Sequence, residues 1–146
     1  MKQLFLSLFL MITVSFAFAQ SPNYEKDSKD VAKAAKDKAI KNGYKSLINF
    51  NSTNGASFYI YPSKSYLILY IYDISPNVTT DFNAHIMSPD TAIEKKYTAI
   101  PEDILVHGTA KVAATRFKTP AFKDPKLPVK INANPKAKIY IYYKEG

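Results

Sequence analysis

The chain contains no cysteine and no tryptophan, and it has four glycines and two histidines. Without cysteine there are no disulfides, thiolate zinc sites, iron–sulfur clusters or cysteine nucleophiles, and no lipid attachment through an N-terminal cysteine. Four glycines leave little material for a phosphate-cradling loop, and neither a G-x-S-x-G elbow nor an H-E-x-x-H pair occurs. His85 and His107 fall short of the three protein ligands that a catalytic zinc site wants, so structural roles are expected for both. Arg116 is the only arginine beside 19 lysines. That scarcity of bidentate donors argues against nucleic acid as a partner. A glycosidase would need two carboxyl groups facing one deep cleft, for which a small β domain has little room. The expectation is a non-enzymatic protein.

What is present begins with an address. Met1 to Ala19 has a lysine at position 2, an apolar run from Leu4 to Phe18, and small residues at Ala17 and Ala19. This is the pattern of a secretory signal peptide cut between Ala19 and Gln20. The run is too short to span a bilayer, which needs roughly 20 apolar residues, and no later segment is apolar and long enough. The expected location is the periplasm or the outside of the cell. Mass spectrometry of the exported protein should find Gln20 at its N-terminus; a start beyond Tyr24 or retention of Met1 would contradict the reading. The cleavage region, the lysine preference and the richness in tyrosine and asparagine resemble exported proteins of the Bacteroidota.

Two regimes of hydrophobic spacing follow. From Tyr24 to Asn42, Val31, Ala35 and Ala39 recur every four residues beside Ala32 and Ile40, the spacing of a helix. Gly43 stands where a helix terminates. The stripe is mostly alanine, so the helix is expected to pack weakly or to act as a spacer that the fold can lose. From Tyr44 the period becomes two. Strands are expected at Ser46–Phe50, Phe58–Tyr61, Tyr66–Asp73, Phe82–Met87, Ile93–Tyr97, Ile104–Val106, Ala110–Phe117, Val129–Ile131 and Ile139–Tyr143. Asn54-Gly55 signals a hairpin, and Asn132 to Pro135 a turn. The sum is an antiparallel β-sandwich of seven to nine short strands over residues 44–146, preceded by one short N-terminal helical segment over residues 20–43 and the signal peptide over residues 1–19.

Charge is uneven. Gly108 to Gly146 holds nine cations against two acids, while Asp73 to Asp103 holds six acids against two lysines. The basic region is a candidate face for an anionic envelope component, although lysines spread along strands also serve as an ordinary solvated surface.

The clearest functional signal is aromatic. Tyr59 and Tyr61, Tyr70 and Tyr72, and Tyr140 and Tyr142 are spaced by two on three strands, so each pair shares a face. If those strands were neighbours, the rings would make a platform for stacking a glycan. Buried tyrosines packing across strands are the ordinary alternative, and ring exposure separates the two. Asp81 and Asn83 are two apart on a strand entry and Asp73 ends the preceding strand, so the three could supply oxygens to calcium as a cofactor; otherwise they form turns.

The segment SFYIYPSKSYLILYIYD, the following DFNAHIMSPD, and a late FKTP leading to IYIYY together resemble the bacterial prepeptidase C-terminal-type β-sandwich. The likeness covers Ala56 to Tyr143. It implies a non-catalytic accessory or binding module that sometimes carries calcium. Asp81-Phe82-Asn83 stands where that family has paired aspartates. The resulting expectation is an exported binding module for a glycan or cell-envelope component. Its rivals are a structural or interaction protein of the envelope, and a small hydrolase.

Overall fold

A computed structural model describes residues 22–75, 82–88 and 102–146. The helical spacing produces α1 (Pro22–Lys41). Pro22 suits the first turn, where its missing N–H is no loss. The helix ends at Gly43, whose φ of 82° closes a left-handed turn. The N–H groups of Asn42, Gly43 and Tyr44 donate to the carbonyls of Lys38, Ile40 and Ala39, and the Asn42 side chain adds a 2.8 Å bond to Lys38 O.

Six strands follow among the described residues: β1 (Lys45–Ile60), β2 (Lys64–Asp73), β3 (Asn83–Met87), β4 (Glu102–His107), β5 (Ala110–Lys118) and β6 (Leu127–Glu145). The protein is thus mainly β and antiparallel, with one short helix ahead of the strands among the described residues. All six strands belong to one sheet, in the order β1-β6-β2-β5-β4, with β3 on the same edge of β6 as β2. The register runs from Lys64↔Glu145 to Ile71↔Lys138 for β2, and from Asn83↔Asn134 to Met87↔Lys130 for β3. The strand expected at Ile93–Tyr97 lies outside the described residues.

Among the described residues, β1 and β6 are each longer than the turn signals predict. Asn51 to Gly55 does not make a hairpin, because the chain on both sides of it pairs with β6 rather than with itself. Asn132 to Pro135 likewise stays inside β6, with a cis bond between Asn134 and Pro135. The turn residues act instead as irregularities. Register shifts fall between Ser46 and Ile48, Phe50 and Thr53, and Thr53 and Gly55; the last sets Ala133 to Lys136 against Asn54 alone. Such bulges bend a strand sharply. Ile48 and Phe58 would be about 33 Å apart on a straight strand, yet both border one groove. The paired β1 and β6 therefore fold back together.

That fold-back creates the larger core. Phe58 and Ile60 of β1, Ile86 of β3, and Val129 and Ile131 of β6 share one buried cluster with Tyr66, Ile68 and Tyr70 of β2 and with Ile139 and Ile141 farther along β6. Tyr66 stacks on Phe117 at 5.1 Å.

The second core lies on the opposite face, under α1, and it corrects the expectation of a weakly packed, dispensable helix. Tyr24, Val31 and Ala39 are buried against Leu67, Leu69, Ile71, Val112 and Tyr142. Polar ties fix the first half of the helix. The Tyr24 hydroxyl donates to Ile71 O at 2.9 Å. The Asp27 carboxylate accepts from Thr109 N–H at 2.8 Å and from the Thr109 hydroxyl at 3.0 Å, and these bonds lower its pKa. Lys138, buried in β6, donates to Ser28 Oγ at 2.8 Å and to Glu25 Oε2 at 3.2 Å. A buried ammonium needs such partners, so the sheet is built to receive this helix. Gly108, at φ 57°, leaves room for the Asp27 carboxylate: a Cβ there would sit only 2.2 Å from Asp27 Oδ2.

Candidate functional site

Register decides the fate of the tyrosine pairs. Tyr70 pairs with Ile139, and Leu69 with Tyr140, on adjacent strands. The Tyr70–Tyr72 pair and the Tyr140–Tyr142 pair therefore point to opposite faces of the sheet. Tyr70 and Tyr72 enter the larger core, where the Tyr72 ring stacks on Phe82 at 4.3 Å and the Tyr70 ring tilts against it at 5.4 Å. Among the described residues the Tyr70 hydroxyl has no well-formed hydrogen bond. Burial pushes its phenol up to about 12, opposed by the neighbouring Thr115 hydroxyl. Tyr142 is buried under α1, with Tyr140 half-buried beside it. A platform of all six rings is thus ruled out, and these four tyrosines serve packing.

Tyr59 and Tyr61 differ, being 48% and 42% exposed. They border an open groove of about 790 Å³ between the folded-back parts of β1. Ile48, Phe58, Met87 and Val129 supply its apolar wall, and Ser57, Ser88 and Lys130 its polar groups. The backbone carrying these rings is fixed on both sides of the strand end. Tyr61 N–H donates to the Tyr66 hydroxyl at 2.7 Å, and Tyr61 O accepts from the Thr119 hydroxyl at 2.7 Å. Lys126 Nζ stands 4.1 Å from the Tyr59 ring centre, a cation–π contact.

Next to the groove lies a polar depression that the sequence reading missed. It is lined by Asn83, His85, Lys130, Asn132 and Asn134, with Gly55 at its edge. The strand pairs Asn83↔Asn134 and His85↔Asn132 lay these side chains in a ladder. Lys130 lines both hollows, and the Asn132 amide donates to Met87 Sδ at 3.9 Å across the divide. The signal was available: Asn83-Ala84-His85 and Asn132-Ala133-Asn134 alternate polar with buried alanine, the same period-two rule that selected the tyrosines.

The oxygens considered for calcium are not all within view. The Asp73 carboxylate accepts from the Ser75 N–H at 2.8 Å and from the Ser75 hydroxyl, closing a local turn. Asn83 is exposed in the ladder, and Asp81 lies outside the described residues. Among the described residues no three histidine, aspartate or glutamate side chains are grouped to hold a metal ion. His85 and His107 sit on different strands, in β3 and at the end of β4. No described helix is long and apolar enough to cross a membrane.

No protein family matches the chain, and neither a curated protein nor a solved structure is measurably similar to it.

Proposed function

We propose that this is an exported, non-enzymatic binding module that holds a glycan of the cell envelope in the groove at Tyr59 and Tyr61. The observation that carries the reading is adjacency: exposed tyrosine rings on a fixed backbone border an amide-lined depression, and Lys130 belongs to both. Sugars combine flat C–H faces with hydroxyls. Aromatic rings accept the faces, and Asn amides both donate to and accept from the hydroxyls. The resemblance to the prepeptidase C-terminal-type module implies the same kind of non-catalytic role. A second reading, an interaction protein without a small ligand, is favoured by the burial of Tyr70, Tyr72 and Tyr142.

Retention on immobilised envelope polysaccharide tests the proposal. The Tyr59→Ala/Tyr61→Ala variant should bind at least about tenfold more weakly than wild type, roughly 1.4 kcal/mol, while His107→Ala binds as wild type. Equal retention of the tyrosine variant and wild type would contradict the proposal.

A further inference from the structure

Given a glycan site in the groove, on which this rests, we infer that the sugars it takes are N-acetylated, with one acetamido group held by Asn132 and Lys130 above Gly55.

Three strands meet beneath the two hollows. The register sets Ser57, Lys130 and Met87 in one cross-strand row and Gly55, Asn132 and His85 in the next, with Asn134 and Asn83 beyond them. Directly opposed residues share a face of the sheet. Tyr59, opposite Pro128, stands one row before Lys130 on that same face. Four residues separate Tyr59 from Gly55, about 13 Å along β1. An oligosaccharide spans that distance and a single sugar ring does not.

The two ends of the Asn132 amide are distinguished. Its NH2 group donates to Met87 Sδ at 3.9 Å, on the β3 side. Its oxygen faces β1: a Cβ on Gly55 would meet Asn132 Oδ1 at 3.5 Å and Lys130 Cε at 3.6 Å. Gly55 brings no side chain to that spot, so an amide oxygen and the end of a lysine stem converge above backbone. The Lys130 ammonium lies one bond beyond Cε.

An acceptor beside an ammonium selects among sugar substituents. An acetamido group has an N–H to give to Asn132 Oδ1 and a carbonyl that accepts from Lys130 Nζ. Its methyl group then has Met87 for a neighbour, at the apolar wall that Met87 shares with Val129 and Lys130. A carboxylate gains Lys130 but sets acceptor against acceptor at Asn132 Oδ1. A free amine is itself cationic and is repelled by Lys130. A hydroxyl can meet both atoms but brings nothing apolar to Met87. One row farther, the amides of Asn83 and Asn134 line the same depression and serve the remaining hydroxyls.

Isothermal titration of the mature protein with four tetrasaccharides decides the matter: the β-linked tetramer of N-acetylglucosamine, its fully deacetylated form, the matching glucose tetramer, and a tetramer of galacturonate. The N-acetylated tetramer should bind at least about tenfold more tightly than each of the others, the scale of one further hydrogen bond and one buried methyl group. Asn132 is exposed, so Asn132→Ala should keep the thermal transition and lose the preference. Lys130→Met, which keeps the apolar stem, should reduce it. Tyr59→Ala/Tyr61→Ala should weaken the N-acetylated and glucose tetramers alike. Equal affinity for those two tetramers, with both weakened in the tyrosine variant, would overturn the N-acetyl assignment and leave the groove reading standing. Equal or tighter binding of galacturonate, or an unchanged preference in Asn132→Ala, would also overturn it. So would failure of the N-acetylated tetramer to bind, while retention on envelope polysaccharide judges the groove reading separately.

Discussion

A chain lacking residues 20–43 is expected to lose its cooperative thermal transition. The helix covers Leu67, Leu69, Ile71, Val112 and Tyr142, all buried in the intact protein. Exposing a side chain of this size costs about 1.5–3 kcal/mol, so the sum is comparable to the whole stability of a small domain, about 5–15 kcal/mol. The truncation also strands Lys138, whose hydrogen bonds to Ser28 and Glu25 depend on the helix. Calorimetry of the truncated protein checks this, and a transition within a few degrees of the intact chain would mean that the helix is an accessory. Acid should loosen the same contact. Hydrogen bonds from Thr109 lower the Asp27 pKa, so its contribution is complete above the ordinary carboxylate value. It is lost as pH falls below that value and through the lowered one. The protection of the Thr109 amide, taken relative to its intrinsic exchange rate, should therefore fall on acidification below pH 4, and Asp27→Ala should show the same lower protection at neutral pH.

The second large effect is expected from the far end of β6. Ile131 and Ile139 lie on either side of the bend, and both are fully buried in the larger core. Isoleucine-to-alanine changes at such sites cost about 2–5 kcal/mol. Ile131→Ala should therefore lower the single global transition by as much as Ile139→Ala does. The result follows from one core shared by both halves of the folded-back sheet. A distal flap stabilised by itself would behave otherwise: Ile131→Ala would leave the main transition unchanged and add a separate, earlier one in denaturant.

Much of this architecture was legible in local spacing. The period-four stripe through Val31, Ala35 and Ala39 located the helix, and period-two alternation located most of the strands. Two kinds of error had physical causes. Asn54-Gly55 and Asn134-Pro135 are strong local turn signals, but a turn becomes a hairpin only if its flanks pair with each other. Here each flank pairs with another long strand, so the same residues become a bend. The helix packs more firmly than its alanine stripe from Val31 onward suggests. Tyr24 and Ser28 extend it by two turns, and Ser28 is buried only because Lys138 reaches it from a strand 110 residues away. No local pattern carries that information.

The site was legible in part for a related reason. Spacing of two shows that two tyrosines share a face, but not what covers that face. Tyr70 and Tyr140 are on adjacent strands and face opposite ways because Tyr70 pairs with Ile139 and Leu69 with Tyr140. Of the six, Tyr59 and Tyr61 are the exposed ones, at the end of β1, which among the described residues pairs with β6 alone. The Asn83–His85 and Asn132–Asn134 ladder carried the same period-two signature. It went unread because single asparagines suggest turns, and its meaning depends on β3 pairing with the distal part of β6.

The most direct measurement is a two-dimensional amide NMR titration of the mature protein with envelope oligosaccharide. Shifts should concentrate at Ser57, Tyr59, Tyr61, Lys130 and Asn132 and saturate together, with the amides around Tyr70, Tyr72 and Tyr142 unmoved. Shifts confined to the lysine-rich surface and abolished by salt, or an unchanged spectrum at saturating oligosaccharide, would contradict the groove reading.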